Sequence, residues 1–114
     1  MPIIIEELIC SNRPHKRFAI KIKEGEKTKT FHFGLDDGQT YIDHRDTKKR
    51  TAYLSRHLGN KTENSLITNF IPSASLFSAK LLWGDSTDLL ENLINLQKEF
   101  NEKHIKATSE IYIQ

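Results

Sequence analysis

The sequence predicts a small α+β domain in which a β-hairpin packs on a basic helix, with a short and a long C-terminal amphipathic helix completing the core. Three observations carry that class. FAIKIK at 18–23 and TKTFHFG at 28–34 alternate apolar and polar residues with the period of a half-buried strand. The stretch Tyr41 to Leu58 is bounded by Thr40, a good N-cap, and Gly59, a helix stop. Leu89, Leu90, Leu93, Ile94, Leu96, Phe100 and Ile105 recur near the helical period, as on one apolar face.

A chain of 114 residues, 37% hydrophobic and 28% charged, is long enough for one core and too short for two ordinary domains. Its parts are a leader or arm (1–17), the hairpin (18–34), the basic helix (41–58) and a helical C-terminal part (73–106). In the leader, Ile3 to Ile9 suits a short helix or a strand equally. SNRPHKR, with Pro14, reads as a connection and a candidate mobile basic arm. The glycine of EGEK suits a hairpin loop of three to five residues.

GLDDGQT is turn chemistry, and Asp43, at the third helical position after Thr40, complements the positive end of the helix dipole. GNKTENS reads as a polar turn before Leu66 to Ile71 and Pro72. SASLFSAKLLW then predicts a short helix stopped by Gly84. Asp85, three residues before Asp88, resembles a capping arrangement for the last helix. The tail SEIYIQ, alternating at Ile111 and Ile113, predicts an edge strand.

Cys10 is the one cysteine, which excludes an intramolecular disulfide; it is expected to behave as a small hydrophobe in a reducing interior. MPIIIEELIC has no basic leader region and no apolar run near the roughly 18 residues a spanning helix needs, so neither export nor a membrane span is expected. The net charge of +2 is unevenly placed, with +5 over residues 1–61 and −3 over 62–114. The basic half suits nucleic acid, an acidic membrane surface or an acidic protein, and the acidic half suits the basic patch of a second copy in a homo-oligomer.

On one continuous helix, Arg45, Lys49 and Arg56 fall within a sector of about 40°, bordered by Tyr41, Ile42, Ala52 and Tyr53. Together with Lys48 and Arg50 they form the candidate nucleic-acid-binding set, in which guanidinium groups grip phosphate and tyrosines stack or donate to the backbone. The plainer reading packs Ile42, Ala52 and Tyr53 inward, lets the Arg and Lys stems reach water, and pairs Asp46 with Arg50 on the surface. Asp43, His44, Asp46 and His57 have metal-ligand chemistry, but His44 and His57 would point about 140° apart, so no metal and no cofactor is expected. No nucleophile lies beside an identifiable base and GLDDG is no phosphate loop, so the chain reads as non-enzymatic. Trp83 is either a core plug or a partner anchor.

The order FHFG, TYIDHRDTKKRTAYLSRH, TNF and LLWG, followed by Ser86 and a final helix, resembles a family of small uncharacterised proteins encoded by large DNA viruses of eukaryotes. The resemblance spans roughly Phe18 to Phe100. Its specific parts are Asp43, His44, Asp46, Lys49 and Arg50, then Tyr53 to His57, then Leu81 to Trp83. It implies a viral accessory or virion-associated protein in the host cell interior, in the cytoplasm or viral factory. The resemblance carries over no activity; the basic helix itself supplies the expectation of nucleic-acid binding without strong sequence specificity. The alternatives are a minor capsid or scaffold component that meets an acidic viral protein and, more distantly, a metal-dependent nuclease using Asp43, Asp46 and His57.

Overall fold

A computed structural model describes residues 2–105 in full and confirms the α+β class. The sheet is antiparallel with order β1-β2-β3, formed by β1 (Ile3–Cys10), β2 (Lys16–Glu24) and β3 (Lys27–Leu35). Helices α1 (Tyr41–His44), α2 (Thr47–Leu58), α3 (Lys61–Thr68) and α4 (Ala74–Phe77) follow. A π-helical turn, Ser78–Leu82, then continues α4, and α5 (Leu89–Ile113) closes the domain. Where an edge strand was expected at Ile111 and Ile113, the last turns of α5 run instead; the side chains of 106–114 lie outside the described residues.

The β2–β3 hairpin follows the alternation, with Phe18, Ile20 and Ile22 opposite Phe33, Phe31 and Lys29. Its turn is tighter than expected. Glu24 pairs directly with Lys27, leaving two residues, and Gly25 at φ 63° supplies the left-handed first position that such a turn requires. The leader is neither a helix nor an arm. It is β1, paired along β2 with one irregularity between Ile5 and Glu7. SNRPHKR becomes the ordered loop between them, closed by Ser11 N–H to the Arg17 carbonyl and by the Ser11 hydroxyl on His32 Nδ1 at 2.7 Å. Cys10 is exposed there rather than tucked away as a small hydrophobe.

An edge strand leaves backbone groups open to pairing with another chain. Here Gln97 of α5 closes part of the open edge of β1: its Oε1 accepts from Ile5 N–H at 2.7 Å and its Nε2 donates to the Ile3 carbonyl at 2.9 Å. A side-chain amide thus acts as one more rung of the ladder. It also fixes the direction of α5 across the sheet.

Ile20, Ile22 and Phe33 from the sheet meet Leu76, Phe77, Leu81 and Leu82 from α4 and the π turn, and Leu96 and Phe100 from α5. Each such burial contributes about 1.5–3 kcal/mol. Phe77 sits between Phe31 and Phe33, with ring centroids 5.4 and 5.9 Å away. On α5 only part of the apolar series turns inward: Leu96 and Phe100 are buried, whereas Leu90, Ile94 and Ile105 are more than half exposed. A second, outward apolar line therefore runs along the helix. Among the described residues no helix is long and apolar enough to cross a membrane.

The expected helix over 41–58 is two helices. Arg45 takes the left-handed conformation at φ 59° and ends α1, with its N–H on the Tyr41 carbonyl. Asp46 then caps α2, accepting from the backbone N–H groups of Lys48 and Lys49 at 2.9 and 3.2 Å. A left-handed non-glycine residue costs on the order of 1 kcal/mol, which the two caps offset. GNKTENS likewise is no simple turn. Asn60 caps α3, accepting from Thr62 and Glu63 N–H.

Candidate functional site

The break at Arg45 reorganises the cationic residues. Arg45 is exposed but off the axis of α2, so the sector joining it to Lys49 and Arg56 does not exist. Lys49 and Arg56 still lie seven residues apart on one line of α2, about 10 Å long, with Lys48 on the same outward side. All three are exposed, and none has an ion pair among the described residues.

Arg50 faces the other way. Its Nε donates to the carbonyls of Trp83 and Gly84 at 3.1 and 2.9 Å, and its Nη2 to Asp85 at 2.9 Å. The predicted Asp46–Arg50 pair is therefore absent, and Asp85 serves Arg50 rather than the cap of α5. That cap is Asp88, whose Oδ1 accepts from Leu90 and Glu91 N–H. Tyr41 lies 5.5 Å under the Arg50 guanidinium, so it supports the brace and not a free face.

The acids that would weaken the cationic face are engaged. Asp43 receives Arg17 in bidentate fashion at 2.6 and 2.8 Å and closes a capping box with Thr40, accepting from its N–H and hydroxyl. The Arg17 hydrogen bonds hold the Asp43 carboxyl well below the usual carboxylate range, against burial and with help from Thr40. A depressed folded pKa gives stability that is present above the unfolded value near 4 and lost as pH falls below it. In denaturant melts the gap between wild type and Asp43→Asn is expected to be widest near neutral pH and to narrow below about pH 4. A gap unchanged from pH 7 to pH 2.5 would contradict this.

Four rings form a ladder behind α2. Trp83 stacks on Tyr53, centroids 4.2 Å apart and 4° from parallel, and His57 covers Tyr53 at 4.1 Å. Two rings that close cannot share a face, so Tyr53 is sandwiched. His44 meets Trp83 at 5.3 Å, with the ring planes tilted by 59°. Its Nδ1 accepts from Asp46 N–H, which assigns its proton to Nε2, a buried atom with no hydrogen-bond partner among the described residues. Trp83 is thus a half-buried hinge of the ladder, between the core plug and the partner anchor that its sequence position suggests. Ala52, expected inward, is exposed.

Beside the ladder lies a cleft of about 420 Å³ between the β3–α1 loop, α2, α3 and α4. Tyr53 and Trp83 wall it, Lys16 and Arg56 stand at its sides, and His57 and Glu63 line it together. His57 Nδ1 and Glu63 Oε2 are 2.8 Å apart, a contact that orients the imidazole. Burial, then the Glu63 charge, pushes the Tyr53 hydroxyl up to about 12, so it remains a neutral donor. The sequence reading picked Tyr53 and Arg56 but missed Lys16, Glu63 and the cleft itself, which only the tertiary fold assembles. Asp43, Asp46 and His57, the trio of the nuclease alternative, are each engaged elsewhere. Among the described residues no group of three His, Cys, Asp or Glu side chains is placed to hold a metal ion.

Residues 6–57 match the model of a family of unknown function, DUF5754. The match covers a little under half of the chain and runs from β1 to the end of α2, so it includes the Arg17–Asp43 pair and the cationic face. No curated protein and no solved structure matches the chain.

Proposed function

We propose that this chain is a non-enzymatic accessory protein, of the viral kind its motifs resemble, that binds nucleic acid without strong sequence specificity along the outer face of α2. The observation that carries the reading is the line of Lys48, Lys49 and Arg56, exposed and free of ion pairs among the described residues, while the neighbouring Asp43 and Asp46 are held by Arg17 and by the cap of α2. Cations left free while Asp43 is ion-paired and Asp46 is turned into the helix cap create a local positive field on a molecule of modest net charge. Phosphate neutralisation by such a row positions a strand without reading its bases.

Fluorescence anisotropy with labelled oligonucleotides across a salt series tests it. Affinity is expected to fall linearly in log salt, and the slope to lessen by about one for each cation removed in a Lys48→Ala, Lys49→Ala, Arg56→Ala variant. All three side chains are exposed, so the variant should keep its melting midpoint. Absence of binding at low salt would rule the reading out in favour of a protein-contact role.

A further inference from the structure

We propose that the cleft beside α2 is a binding site for a phosphate monoester. Two permanent cations from different elements, Lys16 at the start of β2 and Arg56 on α2, flank one cavity of about 420 Å³. That volume lies within the roughly 300–1,000 Å³ usual for small-ligand sites. The one carboxylate in the lining, Glu63, is engaged by His57 Nδ1, and His57 Nε2 has no partner among the described residues. Ser75 adds a hydroxyl to the wall.

Two fixed cations match a dianion, which a phosphate monoester is above its second ionisation near pH 6, better than the single charge of a carboxylate or a phosphodiester. Arg56 can present its fork to two phosphate oxygens, while Lys16 acts as a point charge. With Nδ1–H donating to Glu63, His57 donates to a phosphate oxygen through Nε2–H in its imidazolium form. The monoester can be a free sugar phosphate or the phosphorylated end of a strand; only the second source rests on the nucleic-acid reading above.

Trp83 is the single tryptophan and lines the cleft, so its fluorescence reports occupancy. The full chain would be titrated with ribose 5-phosphate, and with ribose at matched ionic strength. A saturable change with the phosphate and none with ribose is expected, weakened at least tenfold by Lys16→Ala and by His57→Gln. No change with ribose 5-phosphate, or the same response to ribose, would overturn the site.

A parallel comparison of 5′-phosphorylated and 5′-hydroxyl oligonucleotides separates the two sources. Tighter binding of the phosphorylated strand, competed away by ribose 5-phosphate, assigns the cleft to strand ends. Equal binding of both strands with a saturable ribose 5-phosphate response assigns it to the free ligand. Equal strand binding without that response overturns the cleft and leaves the α2 face standing. Ribose 5-phosphate binding with neither strand bound does the reverse.

Discussion

Asn92→Ala is expected to lower stability by about 3 kcal/mol, because it empties a fully used buried polar site. Asn92 is 2% exposed; its Nδ2 donates to the carbonyls of Leu81 and Ser86 at 3.0 and 2.8 Å, and its Oδ1 accepts from Ser86 N–H at 3.0 Å. Those bonds tie the first turn of α5 to the end of the π turn and to the loop between them. Alanine leaves two carbonyls and one N–H without partners, and each such group costs about 1–3 kcal/mol when water cannot reach it. Gly84 packs closely on the same site: a Cβ there would lie 2.3 Å from the Lys80 carbonyl and 2.8 Å from the Asn92 side chain. Asn92→Asp is expected to be no milder, as a carboxylate faces two carbonyls it cannot donate to. Urea melts at neutral pH measure both, and a loss below about 1 kcal/mol would show that the loop closes without Asn92.

Strand alternation was legible because it is local: Phe18, Ile20 and Ile22 face inward wherever β2 lies. The periodicity of Leu89 to Phe100 was legible for the same reason, but it could not say which of two apolar lines faces the core. Leu90 and Ile94 share the helix with Leu93 and Leu96, and only the position of the sheet separates them. The break at Arg45 had a local signal that periodicity overrode. Asp46 is a strong N-cap type, and an unbroken polar–apolar pattern on either side of it reads as one helix. Asn60 followed three residues later by Glu63 was a comparable signal for α3.

The candidate site was less legible for a physical reason. Arg45, Lys48, Lys49, Arg50 and Arg56 look alike as charges in a sequence, and their roles diverge through partners far along the chain. Arg50 finds carbonyls more than thirty residues away, Arg45 lies at a turn, and Lys48, Lys49 and Arg56 keep their charge outward. Lys16 joins Arg56 and His57 only because β2, α2 and α3 converge at one end of the sheet.

That divergence gives the second large effect. Arg50→Ala is expected to cost about 2–3 kcal/mol, and Arg50→Lys nearly as much, although lysine keeps the charge. The loss comes from the carbonyls of Trp83 and Gly84, which the fixed Nε–H of the guanidinium serves together and which the terminal ammonium of lysine, at the end of a flexible stem, does not replace. Asp85 is 92% exposed on its side chain, so the ion pair itself contributes little. The two variants also separate bracing from binding. A guanidinium whose Nε and Nη2 are turned to Trp83, Gly84 and Asp85 stands away from the row of Lys48, Lys49 and Arg56, so the salt slope of nucleic-acid binding should match wild type in both, measured below their melting transitions. Arg50→Ala with an intact melting midpoint and a slope smaller by about one would reverse the assignment and return Arg50 to the face formed by Lys48, Lys49 and Arg56.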